Sequence, residues 1–189
     1  MNRRESLTAM LALGACACTG LPAPRVEEAA AGTSFSAAVP YVPTRPEIVD
    51  AMLDMGGVGA KDIVYDLGCG DGRIVIAAAK RFGASGLGVD IQTDVIAMAE
   101  AQAQWEGVTN QVKFALRDLF DLDLRPATVV MLYLSVDLNV RLRPKLLTQL
   151  RPGSRIVSNR FDMADVWRPT RSIVVADTPI HLWRVGAGG

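Results

Sequence analysis

Val64-Tyr65-Asp66-Leu67-Gly68-Cys69-Gly70-Asp71-Gly72-Arg73 joins a short apolar run to a helical pattern. Residues 63–67 are apolar and β-branched enough for a buried strand. Residues 73–82 place Ile74, Ala77, Ala78 and Arg81 at helical spacing. A glycine-rich turn between strand and helix is where open α/β sheets bind ligands. Gly68 and Gly70 remove side chains where the backbone must turn tightly and near a ligand. Gly72 lets the helix begin close to the sheet.

The same alternation repeats outward from this turn. Upstream, Thr44-Arg45-Pro46-Glu47 reads as a helix start, with Thr44 as cap and Pro46 in the first turn. Ile48, Met52, Leu53 and Met55 supply its apolar face, and Gly56-Gly57 ends it. Downstream, strands are predicted at 86–91, 112–116, 128–134 and 155–161, with helices at 94–105 and 138–150. Residues 172–176 and 180–185 form a closing hairpin around Asp177-Thr178-Pro179. The pattern predicts an α/β fold. It is a Rossmann-like, seven-stranded, mostly parallel sheet with helices on both faces and a C-terminal β-hairpin.

Chain-wide properties narrow the function. Lys plus Arg and Asp plus Glu both number 20, so no overall charge points to nucleic acid. A single histidine, His181, disfavours a histidine-built metal site, and Cys16, Cys18 and Cys69 lack zinc-ligand spacing; no metal is expected. Residues 1–18 read as a segment of another kind. Arg3-Arg4 precedes an apolar stretch with the form of an export signal, and Leu13-Gly14-Ala15-Cys16 resembles a lipoprotein box that would lipidate Cys16. Residues 19–38, rich in Ala, Pro, Glu and Ser, read as a flexible linker, and 39–189 as the folded domain. The signal-like segment points to the cell envelope or periplasm; without its action the domain would stay cytoplasmic.

The turn also selects among nucleotide cofactors. The nicotinamide fingerprint needs Gly or Ala at position 73, where Arg73 stands. Asp66 at the strand end would oppose a pyrophosphate, whereas a cationic methionyl ammonium suits it. Asp90, ending the second strand, can accept from both ribose hydroxyls, with Ile91 on the adenine face. Asp118 after the third strand can accept from the adenine amino group, with Leu119 beside the ring. Three such residues at the ends of successive strands point to S-adenosyl-L-methionine.

Pro40-Tyr41-Val42-Pro43-Thr44, the glycine turn, and Arg155-Ile156-Val157-Ser158-Asn159-Arg160-Phe161 together resemble the small seven-strand protein-lysine methyltransferases. These include a broad-specificity archaeal enzyme and mitochondrial enzymes acting on ATP synthase c-subunit and the adenine nucleotide translocase. The resemblance implies cofactor contacts at Tyr41, Thr44, Asp66, Gly68, Asp90 and Asp118, and methyl transfer to a protein lysine. The chain departs from the family at Ala127-Thr128, where relatives often carry an acidic residue, which bears on the acceptor more than on the cofactor. Tyr133-Leu134-Ser135 and Tyr41 are the expected walls of an acceptor channel. Tyr133 or Tyr41 would turn its hydroxyl or ring toward the substrate nitrogen. Two other functions fit the same turn: a small-molecule methyltransferase, or a cofactor-binding scaffold at the envelope without turnover.

Overall fold

The computed structural model describes residues 41–186. The signal-like segment, Cys16 and the 19–38 linker lie outside them. In chain order the elements are α1 (Pro46–Gly56), β1 (Ile63–Leu67), α2 (Arg73–Phe82), β2 (Ser85–Asp90), α3 (Thr93–Trp105), β3 (Val112–Leu116), β4 (Val129–Leu132), α4 (Val136–Gln149), β5 (Arg155–Asn159), a short 3-10 turn at Ala164–Val166, β6 (Arg171–Val175) and β7 (Thr178–Arg184).

The seven strands order as β3-β2-β1-β4-β5-β7-β6. β1 to β5 run parallel, and β7 pairs antiparallel with both β5 and β6. The order reverses at β1, between β2 and β4, so the carboxyl end of β1 is the switch point where such sheets open a crevice. Strand alternation divides the core in two. Val64, Met131 and Val157 face one side and pack with α1, α2 and the end of α3. Tyr65, Leu67, Val130 and Leu132 face the other and pack with Leu142 and Leu146 of α4. β4 is buried at all four residues, because both its faces are covered.

Several boundaries differ from the sequence pattern. β4 stops at Leu132 rather than 134, because Ser135 turns the chain and caps α4, accepting from the Leu138 amide at 3.3 Å. β5 stops at Asn159 rather than 161, because Arg160 adopts φ 69° and breaks the ladder. Arg45, not Thr44, occupies the cap position of α1, without a capping side-chain bond. Gly57, at φ 58°, ends that helix, its amide donating to the Asp54 and Leu53 carbonyls.

At the amino end of the sheet, Asp62 ties three elements. Its Oδ2 accepts from Arg155 Nη2 at 2.7 Å and its Oδ1 from the Thr128 hydroxyl at 2.7 Å. Arg155 Nε also donates to the Gly56 carbonyl at 2.9 Å. The departure from the family at Thr128 therefore sits at the end of the sheet opposite the glycine turn. Thr128 completes this clamp.

Candidate active site

The glycine turn is held from β2. The Gly68 and Cys69 amides both donate to the Val89 carbonyl, at 2.8 and 2.9 Å. The Gly70 amide donates to Asp90 Oδ2 at 3.0 Å, while Asp90 Oδ1 accepts from Ile91 and Gln92 at 2.8 and 3.1 Å. An ionised carboxylate has about four acceptor sites, so Asp90 braces the turn and keeps capacity for an incoming hydroxyl.

Gly68, Gly70 and Gly72 all have positive φ. A Cβ at Gly70 would stand 2.3 Å from the Tyr41 ring, and one at Gly68 would stand 2.9 Å from Leu134 Cδ2. Bare backbone at Gly70 therefore seats an aromatic ring, as well as keeping the turn open. At Gly72 a Cβ would meet the Phe114 ring at 2.4 Å, in keeping with close packing of α2 on the sheet.

Arg73 does more than break the nicotinamide pattern. It grips Asp71 through Nε and Nη2, at 2.9 and 2.6 Å, and donates from Nη1 to the Thr44 carbonyl at 2.7 Å. Burial pushes the Asp71 carboxyl upward, but the guanidinium outweighs it and holds the group below the usual range. The Tyr41 hydroxyl stands beside this pair; burial and Asp71 hold it above the usual tyrosine range, so it stays protonated. At the far end of the same segment, Arg45 Nη2 donates to the Ala176 carbonyl and the Thr178 hydroxyl, at 2.5 and 3.0 Å. Residues 41–45 thus form a strap from Gly70 to the β6–β7 turn. Thr44 is buried within it.

Asp66, next to the end of β1, is 2% exposed, with no hydrogen-bond partner at Oδ2. Burial first, then the nearby Asp90 and Asp71 charges, push its carboxyl up to about 8. A buried carboxylate without a cation is costly, and a ligand ammonium would supply the missing charge. The donor set fits S-adenosyl-L-methionine on this ground: an orphaned acid at the switch point, a glycine turn free of Cβ atoms, and Asp90 with acceptor capacity one strand away.

The remaining predicted residues divide. Ile91 is half-buried after β2. Asp118 closes a local turn, its Oδ1 accepting from the Phe120 amide at 2.8 Å, and half-buried Leu119 packs toward the α4-side core. Tyr133 is half-buried and stacks on Phe161, ring centroids 6.2 Å apart with planes at 24°. Leu134 is buried against Gly68. Ser135 is committed to its cap. Trp167 packs on Trp183, whose Nε1 donates to the Trp167 carbonyl at 2.8 Å. Sequence reasoning missed the strap contacts of Arg73 and the pairing of Phe161 with Tyr133. Both partners are remote in sequence, and only the run ending in Phe161 carried any signal.

The ANTKMT methyltransferase domain family matches residues 66–171, from the acid of the glycine turn to the start of β6. A protein-lysine N-methyltransferase of Saccharolobus islandicus (strain REY15A) is 43% identical over 158 residues, covering 81% of this chain and 98% of the relative. The adenine nucleotide translocase lysine N-methyltransferase of Mus musculus is 30% identical over 151 residues, covering 80% of this chain and 64% of that protein. Among solved structures, an RNA methyltransferase from Salinibacter ruber in complex with S-adenosyl-L-homocysteine superposes with a TM-score of 0.76 at 42% identity, covering 78% of this chain and 96% of that one. With the orphaned acid and the glycines of the turn inside the matched span, the chain belongs to the ANTKMT methyltransferase domain family and is a methyltransferase.

Proposed function

We propose that the chain transfers the methyl group of S-adenosyl-L-methionine to the side-chain amine of a protein lysine. The observation that carries this reading is the 43% identity to a protein-lysine N-methyltransferase over nearly its whole length. The site geometry is compatible with it at each part. Asp66 would take the methionyl ammonium, Asp90 the ribose hydroxyls, and Ile91, Asp118 and Leu119 the adenine, with Tyr41, Thr44, Gly68 and Gly70 shaping the approach.

Held by Asp66, Asp90 and the glycine turn, the cofactor would supply an electrophilic methyl on a sulfonium to a neutral lysine amine, and the methylated ammonium would then give its proton to water. The chain's part is to present a neutral amine. Free lysine titrates near 10.4, and an apolar, water-poor channel lowers that value by disfavouring the charged form. The protonated Tyr41 hydroxyl is no base, so Tyr41 and Tyr133 act by shape and orientation. Positioning of this kind supplies much of the rate in a displacement.

The test is incubation with methyl-labelled cofactor and cell extract, followed by acid hydrolysis. Label in N-methyl-lysine supports the reading. Label only in RNA or in small molecules replaces the acceptor, and no label in any fraction leaves a binding protein without turnover.

For the N-terminal segment we infer envelope targeting through Cys16, supported by Arg3-Arg4 and the apolar stretch that follows. Cells fed a labelled fatty acid should label the wild-type protein in the membrane fraction and not the Cys16→Ser variant. Equal labelling of both would rule this out.

A further inference from the structure

A second orphaned group lies at the carboxyl end of the sheet. Asn159, the last residue of β5, is 3% exposed, and its Oδ1 has no hydrogen-bond partner. Such atoms are normally satisfied by protein, water or ligand.

Strand pairing locates it. Asn159 stands opposite Ile180 of β7, which belongs to the α1-side core, so Asn159 projects from that same face. Asp66, Met131 and Val157 share one rung of that face across β1, β4 and β5. Asn159 stands two residues beyond that rung on β5, and Tyr133 follows the end of β4. Two strand spacings, about 10 Å, separate β1 from β5. Asn159 therefore offers a second buried acceptor, set apart from Asp66 at that end of the sheet. The stacked Tyr133 and Phe161 rings stand on the segments that leave the carboxyl ends of β4 and β5. The segment after Asn159 is held by several hydrogen bonds. Ser158 Oγ donates to the Phe161 carbonyl at 2.6 Å, and Asn139 Nδ2 donates to the Phe161 and Asp162 carbonyls at 3.0 and 3.3 Å. Arg160 is held at φ 69° with its amide on the Pro179 carbonyl at 2.8 Å. A non-glycine residue in that region costs backbone energy and persists where its surroundings enforce it.

We propose that Asn159 binds the acceptor: its Oδ1 accepts an N–H of the incoming lysine amine, beside the Tyr133 and Phe161 rings. This rests on the lysine reading above. An amide suits the task better than a carboxylate. It accepts from N–H and orients the lone pair, yet carries no full charge that would stabilise the protonated amine.

The test compares wild type with Asn159→Leu and Asn159→Asp in the full chain, using the N-methyl-lysine readout and calorimetry with S-adenosyl-L-methionine. The expected result for Asn159→Leu is at least a roughly tenfold loss in kcat/KM for lysine, one lost hydrogen bond to a buried group, with cofactor affinity within about twofold. Asn159→Asp should move the alkaline-rising limb of the rate profile to higher pH, since the new carboxylate holds the amine proton. A side chain with only a packing role would not move that limb. Unchanged kcat/KM and pH profile in both variants, or cofactor binding lost in step with transfer, overturns the proposal while the lysine reading stands. No N-methyl-lysine from wild type overturns the lysine reading and this inference with it.

Discussion

Asp66 concentrates the chemistry of the cofactor side in one buried carboxyl. Raised to about 8 by burial and by Asp90 and Asp71, it is protonated near neutrality without a cation beside it. The folded protein then holds a proton that the unfolded chain, titrating near 3.9, has released. Stability of the cofactor-free protein should therefore fall as pH rises from about 4 toward 8. Asp66→Asn should remove that slope in thermal melts. A cationic ligand reverses the preference, so binding near pH 7 should expel a proton. Calorimetry in buffers of differing ionisation enthalpy should detect it with wild type and not with Asp66→Asn. Equal proton release by both would place the ammonium elsewhere. At Asp90, fitness for ribose was legible in its position, but the bond from the Gly70 amide was not, because that donor arrives only when the turn folds back on β2.

Among the elements, the strap of residues 41–45 is the one whose role depends on distant contacts. Its seat on Gly70 and its tether to Arg73 are separable. Arg73→Ala removes a charge-assisted bond to the Thr44 carbonyl and the grip on Asp71, and should weaken cofactor binding by about 1–3 kcal/mol. Gly70→Val places side-chain atoms where the Tyr41 ring lies and should abolish binding. Circular dichroism should show both variants folded, since neither change enters the two cores. Normal cofactor affinity in Gly70→Val would mean that the strap plays no part in binding. The helix and strand periodicities were readable throughout, because each buried face is a local pattern. The ends of β4 and β5 were not. Ser135 and Arg160 stop those strands through a cap and a left-handed turn, which hydrophobicity does not encode.

For the molecule as a whole, the two ends of the sheet serve different purposes. The carboxyl end carries the orphaned Asp66 and Asn159, both lacking partners for one oxygen. The amino end carries a satisfied clamp of Asp62, Thr128 and Arg155. Burial raises the Asp62 carboxyl, but bonds from Arg155, Thr128 and the Gly59 amide outweigh it and hold it below its ordinary value. A depressed carboxyl contributes stability above its unfolded value, near 3.9, and loses it as pH falls through the folded one. Acid melts should show wild type losing stability below about pH 4, with Asp62→Asn less stable at neutrality and flatter in acid. Parallel curves would show that the clamp contributes nothing.

The glycine turn, the α/β alternation and the acids at three strand ends were determined by the sequence alone, because local periodicity and turn chemistry are written in adjacent residues. Thr128 as a clamp, Phe161 as the partner of Tyr133, Gly70 as the seat of Tyr41, and the isolation of Asn159 Oδ1 were decided only in three dimensions. Each joins residues on different elements, and whether a buried polar atom finds a partner depends on every element packed around it.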